Sequence, residues 1–447
     1  MKIALIHPDY KTKVYETLSV PLGLAWISAC LNDLTWLTKD CFDFAKTPSA
    51  MAVFKPQCYE IIFIQLHSQE TLKEVMQWIQ LQKRISPQTI IVVGGIAVTL
   101  DCSNIIKYDY IDIASIGEGE ITIKELCIAI NQNRPLHKVH GIAYKNNGTI
   151  IYTKKRPPVE QLDSLPLPDR ESFGLDYPQW TILTARGCPY KCKFCSMPQI
   201  SNNVRYRSID NVYKEIMHLY DCFKMRKFFI VDDTFTLKKQ RVIDLCKKLI
   251  GDSRKVEWTC VTRADTLDYE MLSIMKEAGC DTISCGIESA NEDIQKIMGK
   301  NLKISEIEDV LVYAKKIKIR VRCSFIFGLP GETENHIKNS IDFIKKVKPN
   351  EVQIYPYIPY NGTDIMKEPD QYQLKTDSLI IKDKKDLLDP WIETKTLDRE
   401  KLKEISLCGI SELRRMGYLW IPGDIPAIKQ KLDYIVMTEF SPIQTLC

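Results

Sequence analysis

Apolar residues follow two rhythms along the first part of this chain. Short unbroken runs at 2–7 (KIALIH), 60–66 (EIIFIQL), 89–94 (TIIVVG) and 110–117 (YIDIASIG) read as strands buried on both faces, since only a strand covered above and below needs no polar alternation. Between them, 22–34, 72–85 and 120–130 place apolar residues three and four apart, which predicts helices. Strands alternating with helices predict a doubly wound parallel sheet, whose ligands sit at the carboxyl ends of its strands. The turns Gly94-Gly95 and Gly117-Glu118-Gly119-Glu120 fall at such ends.

The texture then changes. Residues 139–153 read as a hairpin around Asn146-Asn147-Gly148. The following stretch has four prolines before Asp169 and reads as an extended linker. From 180 the alternation resumes, with strands expected at TILTARG, KFFIVDD, EWTCVTR, DTISCGIES, RVRCSFIFG and EVQIYPY. Six strand–helix units predict a parallel barrel or partial barrel with its chemistry on the loops after the strands. The expected organisation is a front domain over 1–135, hairpin and linker over 136–179, an α/β partial (β/α)6 barrel over 180–360, and a small, mainly helical C-terminal region over 361–447 that serves the substrate.

Composition narrows the class without choosing a function. A chain of 447 residues is roughly three domain-equivalents. With 45% apolar and 26% charged residues it is an ordinary folded protein, not a disordered, collagen-like or coiled-coil one. A net charge of +4 gives no argument for nucleic acid. The longest apolar run, Ile90 to Leu100, has 11 residues and two glycines, against about 20 for a membrane span. The opening MKIALIHPDY reaches His7, Pro8 and Asp9 too early for an export signal. A cytoplasmic location is therefore expected, with the 16 cysteines as thiols or metal ligands rather than disulfides. The Lys-rich stretch 298–320 reads as a solvated helix face, and Trp26, Trp36 and Trp78 as core or ligand-flanking residues.

Three cysteines stand apart from the rest. Cys188, Cys192 and Cys195 follow the first barrel strand as C-x3-C-x2-C, with Phe194 before the last. Thiolates so spaced can wrap one face of a cuboidal [4Fe–4S] cluster, which takes four iron ligands; three from protein leave one iron open for a small molecule. Zinc sites more often show paired C-x2-C units, and three unligated thiols remain the bland reading.

With this loop the chain resembles radical S-adenosylmethionine enzymes, and the likeness extends through the barrel. Asp232-Asp233-Thr234-Phe235 resembles the segment that holds the methionine amine. Arg263 matches a recurring polar position at the barrel mouth. Gly286-Ile287-Glu288-Ser289 resembles the segment near the ribose. Phe325-Ile326-Phe327-Gly328-Leu329-Pro330-Gly331-Glu332 resembles the adenine-contacting segment, with Tyr355-Pro356-Tyr357 closing over the base. The resemblance implies that Cys188, Cys192 and Cys195 hold the cluster, and that Phe194, Asp232, Asp233, Arg263, Glu288, Ser289, Phe325, Gly328 and Tyr355 hold S-adenosylmethionine.

The front half resembles the Rossmann-like, flavodoxin-like cobalamin-binding domain joined to many such enzymes. This implies corrinoid contacts from Pro8, Gly94, Gly95, Gly117, Glu118 and Gly119. The D-x-H-x-x-G motif that ligates cobalt in methionine-synthase-like domains is absent. Leu66, His67 or Ser68, at the end of the third strand, are the candidates to face the cobalt, and a front domain without corrinoid is the alternative.

The resemblance as a whole implies an enzyme that cleaves S-adenosylmethionine reductively to a 5′-deoxyadenosyl radical. It would then methylate an unactivated carbon of a small-molecule or peptide substrate through methylcobalamin. Electrons would come from a donor such as flavodoxin or ferredoxin. Relatives that cyclise, contract rings or couple carbons supply one alternative, and a non-catalytic cluster- and corrinoid-binding sensor or electron carrier another.

Overall fold

The computed structural model describes residues 1–8, 19–67, 72–378, 390 and 392–420. The unbroken apolar runs become the centre of a front sheet. Its parallel strands are β1 (Lys2–His7), β2 (Thr38–Asp43), β3 (Ile61–Gln65), β4 (Ile90–Gly94) and β5 (Ile113–Ser115), in the order β2-β1-β3-β4-β5. This is the flavodoxin order, whose switch point lies between β1 and β3. Helices α1 (Leu22–Leu31), α2 (Leu72–Ile85), α3 (Ile96–Ile105) and α4 (Gly119–Asn131) cover it. Alternate residues go to opposite layers: Ile3, Leu5, Ile61 and Phe63 meet α1 and α4, while Ala4, Ile6, Ile62 and Ile64 meet α2 and α3.

The apolar pattern does not announce β2, where only Cys41 and Phe42 are apolar. It forms as an edge strand because β1 offers a ladder from Lys2↔Thr38 to His7↔Asp43. The expected hairpin forms as β6 (Ile142–Asn146) and β7 (Thr149–Tyr152), and adds antiparallel to β5, completing seven strands.

The second sheet is parallel throughout. Strands β8 (Trp180–Ile182), β9 (Lys227–Ile230), β10 (Glu257–Thr262), β11 (Cys280–Glu288), β12 (Arg320–Phe327) and β13 (Glu351–Pro356) are neighbours in chain order. Between them run α5 (Ile209–Phe223), α6 (Lys239–Ile250), α7 (Tyr269–Glu277), α8 (Ile304–Lys316) and α9 (Glu334–Val347). Their apolar sides share one core with the outward residues of the strands. After α10 (Arg399–Arg415), a seventh strand, β14 (Leu419–Trp420), joins β13. The edges β8 and β14 do not pair, so the barrel is partial.

TILTARG, expected as one strand, divides. β8 stops at Ile182, and Ala185–Arg186 pairs instead with Arg205–Tyr206 as an antiparallel ribbon. The cause is Asp232, whose carboxylate accepts hydrogen bonds from Thr184 N (2.6 Å) and Ala185 N (3.1 Å) and takes both amides out of the ladder. Two consecutive residues anchor the linker, one to each domain. Asp169 Oδ2 accepts from Ser28 Oγ of α1 at 2.6 Å. Arg170 donates to Thr181 O (2.8 Å) and to Glu215 of α5 (2.5 Å). Among the described residues no helix is long and apolar enough to cross a membrane.

Candidate functional site

The ribbon closes the stem of the cysteine loop. Gly187 has φ +93°, and a Cβ there would lie 2.4 Å from Asn203 O, so the two arms of the loop meet too closely for any side chain. Cys188 N donates to Ser201 O (3.2 Å), Cys195 N to Cys192 O (3.0 Å), and Lys193 N to Met298 O (2.8 Å). Two donors approach the sulfurs: Arg263 Nη1 lies 3.8 Å from Cys192 Sγ and Met197 N 3.4 Å from Cys195 Sγ. Burial pushes the Cys195 thiol up to about 12 and raises Cys192 as well. These are thiols until a metal displaces their protons, and N–H groups aimed at the sulfurs suit thiolate ligands. Among the described residues no three His, Cys, Asp or Glu side chains converge as ligands of a single ion would.

The strand ends around this loop treat the expected S-adenosylmethionine residues unequally. Asp232 is buried and already bound to Thr184 and Ala185, and burial raises its carboxyl to about 6. Asp233, its neighbour, reaches the cavity described below. Arg263 is clamped by Asp265 (2.7 and 3.0 Å) and Lys300 O (2.8 Å), with its guanidinium 3.7 Å from the Tyr190 ring centre. Glu288 holds Lys300 Nζ at 2.6 Å with both side chains largely buried, and that ammonium also lies 5.9 Å from the Phe194 ring centre. Lys300 was not singled out from sequence; only its place in the Lys-rich stretch hinted at it.

Tyr355 is half-buried on β13. Burial raises its hydroxyl, with Glu288 adding to and Arg322 opposing the effect. Ser289 is buried and donates to Glu332 (3.3 Å). Phe325 and Gly328 lie away from the mouth. Side chains alternate along a strand, and Phe325 points outward to Phe343 of α9, leaving Ile326 to pack near Phe194. Gly328 is buried where a Cβ would meet Leu402 of α10 at 2.4 Å.

A cavity of about 400 Å³ opens between the front sheet and the cysteine loop. The front domain contributes Trp26, Gln65, Gly94, Gly95, Ser115 and the Gly117–Glu120 turn. The barrel side contributes Leu183, Arg186, Gly187, Ser201, Val231 and Asp233. Gly94, Gly95, Gly117, Glu118 and Gly119, named above for corrinoid contact, are among the lining residues. Leu66 follows Ile62 and Ile64 into the α2–α3 layer, so Gln65 is the polar group that β3 presents. Pro8 is buried and His67 exposed, neither in the wall, and Ser68 lies outside the described residues. Nothing crowds the Cβ position of Gly117, and Ser115 Oγ is buried without a hydrogen-bond partner. Apolar walls, glycine turns that admit close approach, and a hydroxyl wanting a partner fit a large flat ligand with polar edges, such as a corrinoid.

Family models match both halves: B12 binding domain over residues 12–127 and Radical SAM superfamily over 182–344. An uncharacterised methyltransferase of Pyrococcus horikoshii is 29% identical over 437 residues, covering 94% of this chain and 92% of its own length. An anaerobic magnesium-protoporphyrin IX monomethyl ester cyclase of Rubrivivax gelatinosus is 27% identical over 398 residues, 82% of this chain and 70% of that protein. Among solved structures, the radical S-adenosylmethionine methyltransferase TsrM of Kitasatospora setae, with tryptophan substrate and a SAM analogue bound, superposes with TM-score 0.71 at 18% identity. The match spans 83% of this chain and 76% of that one. The same protein, solved with cobalamin and a [4Fe–4S] cluster, gives 0.70.

Proposed function

Since the chain belongs to the radical SAM superfamily and carries a B12-binding domain ahead of its barrel, we propose that this radical SAM enzyme transfers a methyl group to an unactivated carbon of its substrate. The observation that carries the proposal is the shared cavity, where glycine turns of the front sheet face Arg186, Gly187 and Asp233 around the cysteine loop. A methyl donor in the front domain and a hydrogen-abstracting centre in the barrel would both open on one space. When bound, the reduced cluster supplies the electron that cleaves the sulfonium carbon–sulfur bond, and the corrinoid supplies the methyl group.

The chain's own residues do the placing. Cys188, Cys192 and Cys195 would hold three irons, with Arg263 and the Met197 amide directed at two of the sulfurs. Glu288 would offer its carboxylate to ribose hydroxyls, its charge balanced by Lys300. Asp233 would stand ready for an ammonium group on the cavity side. Trp26, Met197 and Ile200 in the wall would keep water from a reactive carbon radical.

The test is anaerobic reconstitution with iron, sulfide and hydroxocobalamin, then incubation with S-adenosylmethionine and dithionite as the one-electron reductant. Release of both 5′-deoxyadenosine and S-adenosylhomocysteine is expected, and a Cys192→Ala variant should release neither. A cyclase-type reaction is the second reading, favoured by the similarity to the Rubrivivax gelatinosus cyclase over 82% of this chain. It would give 5′-deoxyadenosine without S-adenosylhomocysteine. An intact cluster that yields neither product removes both readings.

A further inference from the structure

The stem of the cysteine loop contains a charge pairing that the barrel does not balance by itself. In the two-stranded ribbon the residues directly opposite one another are Arg186 and Arg205. Like charges in register repel, and these side chains are 14% and 4% exposed, so water does little to screen them. Their carboxylate partners come from the front domain. Glu118 takes Arg205 at 2.7 and 3.1 Å and Arg186 at 3.2 Å, and Glu120, itself buried, takes Arg186 at 2.5 Å. Glu118 also accepts from Val159 N of the linker at 2.7 Å. The Arg186 guanidinium lies 4.9 Å from the ring centre of Trp26 on α1.

All five of these side chains line the cavity, as does Gly187, one residue before Cys188. A ligand in the cavity thus touches the groups that hold the loop stem shut. Resting on the cofactor reading above, we propose that the Arg186–Arg205 pair, neutralised by Glu118 and Glu120 across the domain boundary, couples the two cofactor sites. A corrinoid seated in the front domain would fix the carboxylates, the carboxylates the stem, and the stem the loop to which S-adenosylmethionine binds. These four are positioning residues, and their effect is a coupling free energy that acts equally in both directions.

The experiment uses the reconstituted full chain with its cluster. Binding of S-adenosylmethionine is measured by equilibrium dialysis with and without saturating hydroxocobalamin, and binding of hydroxocobalamin by its absorbance with and without S-adenosylmethionine. Each ligand is expected to tighten the other by the same factor, about fivefold or more. In Glu120→Gln that factor should fall to about one; being a ratio, it cancels any direct loss of contact with either ligand. The exchanged pair Glu120→Arg with Arg186→Glu keeps the number of charges and should recover most of the coupling, which separates loss of pairing from loss of fold. Both ligands binding independently in the wild type, or unchanged coupling in Glu120→Gln, overturns the proposal. Failure to bind hydroxocobalamin at all overturns the cofactor reading instead, and the coupling with it.

Discussion

Glu332 is buried completely at the turn after β12, where its carboxylate accepts from Gly328 N (2.8 Å), Leu329 N (3.3 Å) and Ser289 Oγ (3.3 Å). Burial outweighs these donors and lifts the carboxyl to about 8, from an ordinary value of 4.5. Between those values the folded protein keeps a proton that the unfolded chain has lost. Stability should therefore fall as pH rises from about 4.5 to about 8, and level off above. Glu332→Gln is neutral throughout, so its advantage in thermal midpoint should be small at pH 5 and grow towards pH 8. An advantage independent of pH would show that Glu332 does not carry this proton. Single residues were the hardest to read from sequence. The motif containing Asp232 and Asp233 was legible, but not which of two adjacent carboxylates would be consumed by the backbone of Thr184 and Ala185. Likewise the segment at the end of β12 was found, whereas the choice of Phe325 depended on a face that one residue of register reverses.

At the scale of elements, the strands that sequence revealed are those covered on both sides, because burial leaves a continuous apolar signal. β2 and β14 escaped it. They are edge strands formed on ladders already provided by β1 and β13, and a borrowed ladder asks little of local sequence. The seat of α10 was also unreadable, since it depends on a contact 74 positions away in the chain, between Gly328 and Leu402. Gly328 has φ +85°, and a Cβ would meet Leu402 at 2.4 Å. Gly328→Ala combines backbone strain with overpacking, each costing about 1–3 kcal/mol. The expected result is faster amide hydrogen exchange in 399–415 with little change in the front sheet. Unaltered exchange there would mean that α10 does not depend on this close approach.

For the whole molecule, two consecutive linker residues join the sheets: Asp169 to α1 through Ser28, and Arg170 to α5 through Glu215. Proline content announced an extended segment but not that it would be anchored, since the partners lie 141 positions before Asp169 and 45 after Arg170. Glu215 is the critical member. It is 1% exposed and serves two buried arginines, Arg170 from the linker and Arg207 beside the ribbon. Glu215→Met fills a similar volume but leaves both guanidinium groups buried without a counterion, a change that costs about 3–5 kcal/mol. Because Arg170 and Arg207 also donate to Thr181 O and Leu183 O on either side of the end of β8, the loss should reach the first strand of the barrel and the stem of the cysteine loop. Calorimetry should show a barrel transition several degrees lower, and limited proteolysis should cut more readily within 154–179. A variant that unfolds within about one degree of the wild type would mean that the linker is held elsewhere.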